Sequence, residues 1–215
     1  MLIFGLASFN KGRLDNISIV TCIEIQESED RIFTVRAEIA DTVGSAESGS
    51  SRTNILSAEG TSIQNAFDNL ERIDSSSIYT GHIRLILFDL NTAKKRGFQE
   101  LSDFILNTDD IRFNVQVALY DAKTADILET ETLISGNKGL DIERGIRNAV
   151  SAGTNISAEA FQVINSLGSE ESLLLLPVIS AWKTGDRMIA YINDTAVFYG
   201  DEFQNRGKVD DYDFS

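Results

Sequence analysis

Apolar residues recur along the chain with a period of two in some segments and three to four in others, and polar or glycine-bearing stretches separate the segments. Leu14–Ile25 is rich in Ile and Val and predicts a strand, followed by a polar turn at Gln26–Asp30. Ile32–Ala40 alternates, placing Phe33, Val35, Ala37 and Ile39 on one face and leaving Arg31, Arg36 and Glu38 for solvent. The two segments predict an antiparallel hairpin. Thr42–Thr53 carries Gly44 and Gly49 among serines and threonines and predicts a mobile loop.

A short strand is expected at Asn54–Ala58, and Thr61 with Gln64 has capping-box spacing for a helix start. Ile63, Ala66, Phe67, Leu70 and Ile73 then follow at helical intervals. Ile78–Phe88 predicts one long strand, and Asn91–Arg96 a short helix stopped by Gly97. Phe98, Leu101, Phe104 and Ile105 mark the next helix. Ile111–Tyr120 alternates through Phe113, Val115, Val117 and Leu119, as a half-buried strand would.

Ala122–Glu131 reads as helical, and Leu140–Ala152 as a helix after the break at Gly136–Gly139. Ser157–Leu167 is amphipathic, with Phe161, Ile164 and Leu167 as its stripe. Leu173–Trp182 predicts a strand whose Pro177, the only proline, suits an edge or boundary. Met188–Tyr199 predicts another, bent at Asn193-Asp194, and Gly200–Ser215 an unpacked tail. No internal repeat is visible. A hairpin followed by alternating helices and strands predicts an α/β (mixed α+β) fold, with a mixed sheet flanked by helices.

Composition narrows the function classes. The 215 residues hold 19 Lys+Arg against 33 Asp+Glu, a formal charge of −14. That balance argues against nucleic acid and against docking on anionic lipid, both of which need clustered Lys/Arg. The single cysteine, Cys22, excludes an internal disulfide and a cysteine zinc cluster; its apolar neighbours predict a core position. No apolar run is long enough to span a membrane. Met1–Ser8 is apolar without a basic leader, so it reads as an N-terminal strand or a disordered lead-in.

Candidate chemistry is sparse. His82, the only histidine, falls inside the predicted Ile78–Phe88 strand, which favours a hydrogen-bonded structural role over a base or ligand. Asp109-Asp110 is better explained as a turn or cap than as a paired-carboxylate site, and Asp210, Asp211 and Asp213 as a solvated charge run. Gly44 and Gly49 lack the Lys-Ser/Thr of a phosphate loop, and Gly60 stands alone before its helix. No catalytic, cofactor or metal residues are assigned.

An ordered set of stretches resembles the N-terminal domain of the C-subunit family of spore germinant receptors, the Ger(x)C proteins. They are Ser57-Ala-Glu-Gly60-Thr61 with Ala66, Ile78-Tyr-Thr-Gly81-His82-Ile-Arg-Leu, Ala93-Lys-Lys-Arg-Gly97-Phe98, Leu101-Ser-Asp-Phe104 and Asp109-Asp-Ile-Arg112-Phe. Ala122–Leu128, Arg13–Val20 upstream and Asp194–Phe198 downstream extend the likeness. It implies three parts: a degenerate signal or lipobox-like remnant over 1–12, the family domain over 13–182, and over 183–215 the stub of a second domain with an acidic tail. Where the family carries a lipid-modified cysteine, the matching stretch has Ser8, which has no thiol to take a lipid.

What the resemblance implies is a non-enzymatic accessory component of a germinant receptor. It would act as a protein-interaction domain at the outer, extracytoplasmic face of the spore inner membrane, with integral membrane receptor subunits as partners. The alternative within the same fold is a module that binds a small-molecule germinant directly.

Overall fold

The computed structural model describes residues 17–40, 53–122, 126–132 and 134–208. The lead-in with Ser8, the loop containing Gly44 and Gly49, and Asp210, Asp211 and Asp213 lie outside the described residues.

Nine strands are described: β1 Ile17–Glu27, β2 Phe33–Ala40, β3 Thr53–Gly60, β4 Ser77–Tyr79, β5 Leu85–Asp89, β6 Gln116–Tyr120, β7 Leu173–Thr184, β8 Arg187–Tyr199 and β9 Glu202–Gly207. Five helices join them: α1 Ile63–Ile73, α2 Leu90–Arg96, α3 Gln99–Asn107, α4 Lys138–Ser151 and α5 Ala160–Ser166. All nine strands share one sheet in the order β3-β2-β1-β5-β6-β7-β8-β9, with β4 also alongside β1. The β1–β5, β5–β6 and β6–β7 pairs are parallel, and the pairs towards both edges are antiparallel. The mixed sheet with its leading hairpin and flanking helices is the expected architecture.

Helices cover both faces. On one, Phe67 of α1, Phe98, Leu101 and Phe104 around α3 and Val163 of α5 pack on Ile23, Ile25, Ile86 and Phe88. On the other, Ile142 and Ile146 of α4, with Ile127 and Leu128, cover Cys22, Leu85, Leu87, Ala118 and Tyr120. Burial on both sides explains why β5 and β6 are buried at every position.

The second helical layer corrects several expectations. Glu38 is not turned to solvent: it is 0% exposed, because α4 docks on that face of β2. The Ile78–Phe88 strand is two strands, β4 and β5, separated by a turn in which Ile83 N donates to Thr80 O at 3.0 Å. Only Gln116–Tyr120 of the Ile111–Tyr120 strand forms, fully buried, and Phe113 is exposed. In Ala122–Glu131 the described part forms turns, not a helix, because Glu131 N donates to Met188 O at 2.7 Å on β8.

Other corrections are local. The α1 cap falls one residue later than expected: Ser62 Oγ accepts from Asn65 N at 3.1 Å, and Asn65 Oδ1 accepts from Thr61 N at 3.2 Å. Ile73, past the last buried turn, is exposed. The buried stripe of α5 is Ala160, Val163 and Ser166; of the expected residues, Ile164 and Leu167 pack half-buried against the core, and Phe161 is exposed. Backbone bonds from Ala160 N to Val115 O and Phe161 N to Phe113 O, both 2.9 Å, set that phase. The described part of the tail forms β9, and Phe203 packs on Phe198 with ring centroids 5.4 Å apart.

Pro177 lies inside the sheet but just ahead of Val178, the first residue of β7 paired with β6, so its missing N–H falls at the margin of that ladder. The bend at Asn193-Asp194 is a bulge, with Val178 opposite Asp194 and Ile179 opposite Ile192. Residue 182 falls within β7, and β8 and β9 continue the same sheet.

Candidate functional site

In sheets with helix-linked parallel strands, ligands gather at the carboxyl ends of the strands. Here that end is filled by the chain's own bonds. Asp89 closes β5, is 3% exposed, and accepts from Thr92 N at 2.8 Å, Thr92 Oγ1 at 2.9 Å and Ala122 N at 3.0 Å. Glu27, at the end of β1, is held by Lys95 and Arg96.

A polar cleft of about 270 Å³ opens at the opposite end, beside the first residues of β5 and β6. The turn before β5 supplies His82 and Arg84, and the approach to β6 supplies Arg112 and Gln116. Helix α4 contributes Glu143 and Arg147, four residues apart and so on one helical face. Asn114, ahead of β6, and Glu159, just before α5, complete the polar lining.

Backbone pairing builds this rim. Arg84 N donates to Thr21 O at 2.8 Å, and Gln116 N to Arg84 O at 3.3 Å, tying the two approaches together. Val117 N donates to Ala158 O at 2.8 Å, so the segment before α5 runs beside β6 and brings Glu159 to the cleft.

The charges are unevenly satisfied. Glu159 is engaged in the capping box that starts α5. Arg147 Nη2 lies 3.3 Å from Glu143 Oε2, within ion-pair distance but without hydrogen-bond geometry. Among the described residues, Arg84 and Arg112 form no salt bridge. Gln116 and Glu143 are each 8% exposed, and Gln116 Oε1 and Glu143 Oε2 are buried without a hydrogen-bond partner. Unmet buried acceptors are costly, and unpaired guanidiniums are suited to binding a planar oxyanion through two parallel bonds.

The residues weighed in the sequence fall in different places. His82 is not within a strand; it sits exposed in the turn between β4 and β5, its ring 5.4 Å from that of Tyr79, on the cleft wall. The cleft lining includes no serine, threonine or cysteine. Cys22 is fully buried, and burial pushes its thiol pKa well up. Asp109-Asp110 is an exposed turn, with Asp110 at φ 65° and Asp109 O accepting from Thr80 Oγ1. Gly60 lies at the end of β3 against the first turn of α1, where a Cβ would come within 2.3 Å of Ala66 N. No group of three metal-ligating side chains occurs among the described residues.

The arginines went unassigned in the sequence because Arg84, Arg112 and Arg147 are far apart along the chain. The only local signal was the Glu143–Arg147 spacing. A second buried polar centre was also missed: Glu24, 2% exposed, meets Arg36 at 2.8 Å, and Arg36 reaches Asp126 at 2.7 Å and Glu129 at 3.2 Å. Burial raises the Glu24 carboxyl from its ordinary 4.5 to about 7, against the opposing pull of Arg36.

The family profile of the spore germination protein N-terminal domain matches residues 10–181. The chain belongs to that family. No curated protein and no solved structure gives a significant match. Membership makes this a germinant-receptor C-subunit-like domain acting in spore germination. Two of the stretches that resemble the Ger(x)C family, Ile78–Leu85 and Asp109–Phe113, deliver His82, Arg84 and Arg112 to the cleft. No helix among the described residues is long and apolar enough to cross a membrane.

Proposed function

We propose that the chain is a non-enzymatic accessory component of a spore germinant receptor. It serves as a protein-interaction domain at the outer face of the spore inner membrane and works with integral membrane receptor subunits. The family match over residues 10–181 carries this reading. A cleft whose lone imidazole has no serine, threonine or cysteine on the lining with it supports holding over turnover, since nucleophilic catalysis needs base and nucleophile within hydrogen-bond reach. The test is affinity capture of the epitope-tagged chain from detergent-solubilised spore membranes. Recovery of integral receptor subunits in stoichiometric amounts is the expected result; a tagged chain that fractionates alone refutes the proposal.

The arginine-lined cleft favours a second reading, in which the same fold binds a small molecule. Its polar side chains and enclosed shape suit a compact, charged ligand better than an apolar one.

A further inference from the structure

From an ionisable group buried with one unmet oxygen beneath an irregular segment, we infer that residues 126–132 form a pH-sensitive flap. It lies closed over Glu24 while that carboxyl is protonated and opens when the carboxyl ionises.

Glu24 lies within β1 and is 2% exposed. One of its oxygens accepts from Arg36 Nη1 at 2.8 Å, and the other, Oε2, is buried without a partner. A neutral carboxyl tolerates that position, whereas a carboxylate needs water or further donors. Tyr120 Oη, on the same face of the sheet, is also buried and unmet, so the two do not serve each other.

Every element packed there has a definite charge role. Arg36 stands beside Glu24 on β2, and Asp126 and Glu129 belong to the flap. Cys22 is two residues away on β1, faced by Glu38 of β2 and Lys138 of α4, while β5 presents Leu85 and Leu87. Burial holds the Cys22 thiol and the Tyr120 phenol protonated. It lifts Glu24 to about 7, so of these three Glu24 changes charge near neutrality. Arg36 and the Leu128 backbone N–H favour the carboxylate in the closed form, but the cost of burial outweighs both.

The flap is held by few bonds. Residues 126–132 form turns, with an isolated bridge at Glu131. Arg36 pins Asp126 at 2.7 Å and Glu129 at 3.2 Å, and Glu131 N donates to Met188 O at 2.7 Å. Ile127 and Leu128, both 0% exposed, plug the face beneath. Such segments open without global unfolding. Opening hydrates Glu24 and returns it to its ordinary 4.5. The closed form therefore binds more protons between 4.5 and about 7, so rising pH shifts the balance towards opening through that window and no further above it. Opening also bares Ile127 and Leu128.

The experiment is amide hydrogen exchange of the full chain at about pH 5 and about pH 8, corrected for the intrinsic pH dependence of exchange. Protection of the Glu129, Thr130 and Glu131 amides should fall about tenfold or more at the higher pH. Ile86 and Leu87 on β5 report global unfolding, and the flap amides should exchange faster than theirs at both pH values. Glu24→Gln removes the titration and should leave flap protection flat with pH. Asp126→Asn combined with Glu129→Gln alters only exposed side chains; it should lower flap protection at both pH values and keep the fall between them.

Four results overturn the inference: equal flap protection at the two pH values, a pH-dependent fall that survives in Glu24→Gln, parental protection in the double variant, or flap exchange no faster than that of β5. The last would mean that the segment opens only with the whole fold. None of them touches the accessory-subunit reading, which rests on the family match.

Discussion

The Glu38 carboxylate on β2 accepts a hydrogen bond from Gly139 N at 2.9 Å, across 101 residues of sequence. Its other oxygen accepts from Lys138 N at 2.7 Å, and Thr21 Oγ1 donates to the group at 2.9 Å. A buried carboxylate thus meets two orphan donors and the positive end of α4 at once. Gly139 allows the approach, since a Cβ there would lie 2.8 Å from both Cys22 Cβ and Thr21 O.

Gly139→Ala should therefore destabilise the fold by about 1–3 kcal/mol, the usual cost of overpacking. Glu38→Ala should cost about 2 kcal/mol or more by leaving buried donors unmet. Urea midpoints with an unchanged m-value would establish both; parental midpoints would show that α4 does not dock as described.

Glu24 makes stability fall with pH. Its unfolded carboxyl loses a proton near 4.5, whereas the folded one, buried beside Arg36, Asp126 and Tyr120, keeps it to about 7. Between these values the folded chain binds more protons, so this group's contribution declines as pH rises through the window and is flat above it. The difference is on the order of 3 kcal/mol. Glu24→Gln should remove this component of the slope, and identical pH profiles for parent and variant would contradict it.

Phe198 is fully buried between Phe98, at 4.9 Å between ring centroids, and Phe203. Asp201, beside it, accepts from Phe98 N at 3.0 Å and so caps α3, whose own N-cap side chain makes no such bond. Phe198→Ala should cost about 3–5 kcal/mol and Asp201→Ala about 1 kcal/mol. A chain ending at residue 185 loses both contacts, and it should lack a cooperative thermal transition in calorimetry.

Cys22 is 0% exposed, and burial disfavours its thiolate. It should resist aromatic disulfide reagents in the native protein and react at once in urea. Rapid native labelling would mean that the α4 face opens readily.

Where one face of a segment decided its fate, the sequence was legible. Phe33, Val35, Ala37 and Ile39 marked the buried side of β2, and Gly97, at φ 66°, ended α2 as expected. The other side of the same strand misled: Glu38 looked solvent-facing because the helix it caps starts 100 residues later. The break between β4 and β5 was hidden because Ile83 and Leu85 keep the apolar alternation running through the turn. The cleft was least legible, because Arg84, Arg112 and Arg147 become neighbours only through the parallel pairing of β5 with β6 and the docking of α4.

The sheet order also dictates how the molecule must be made. Each antiparallel wing, β1–β2–β3 and β7–β8–β9, joins strands that are consecutive along the chain. The centre requires Cys22 to find Leu85, and Leu119 to find Val178, over much longer loops. Long closures slow folding, so the wings should zip first and the parallel middle should limit the rate. The second wing follows the centre along the chain, and until it is made one edge of β6 is unpaired and Phe98 lacks its contact with Phe198, which makes a chain synthesised only that far exposed to aggregation.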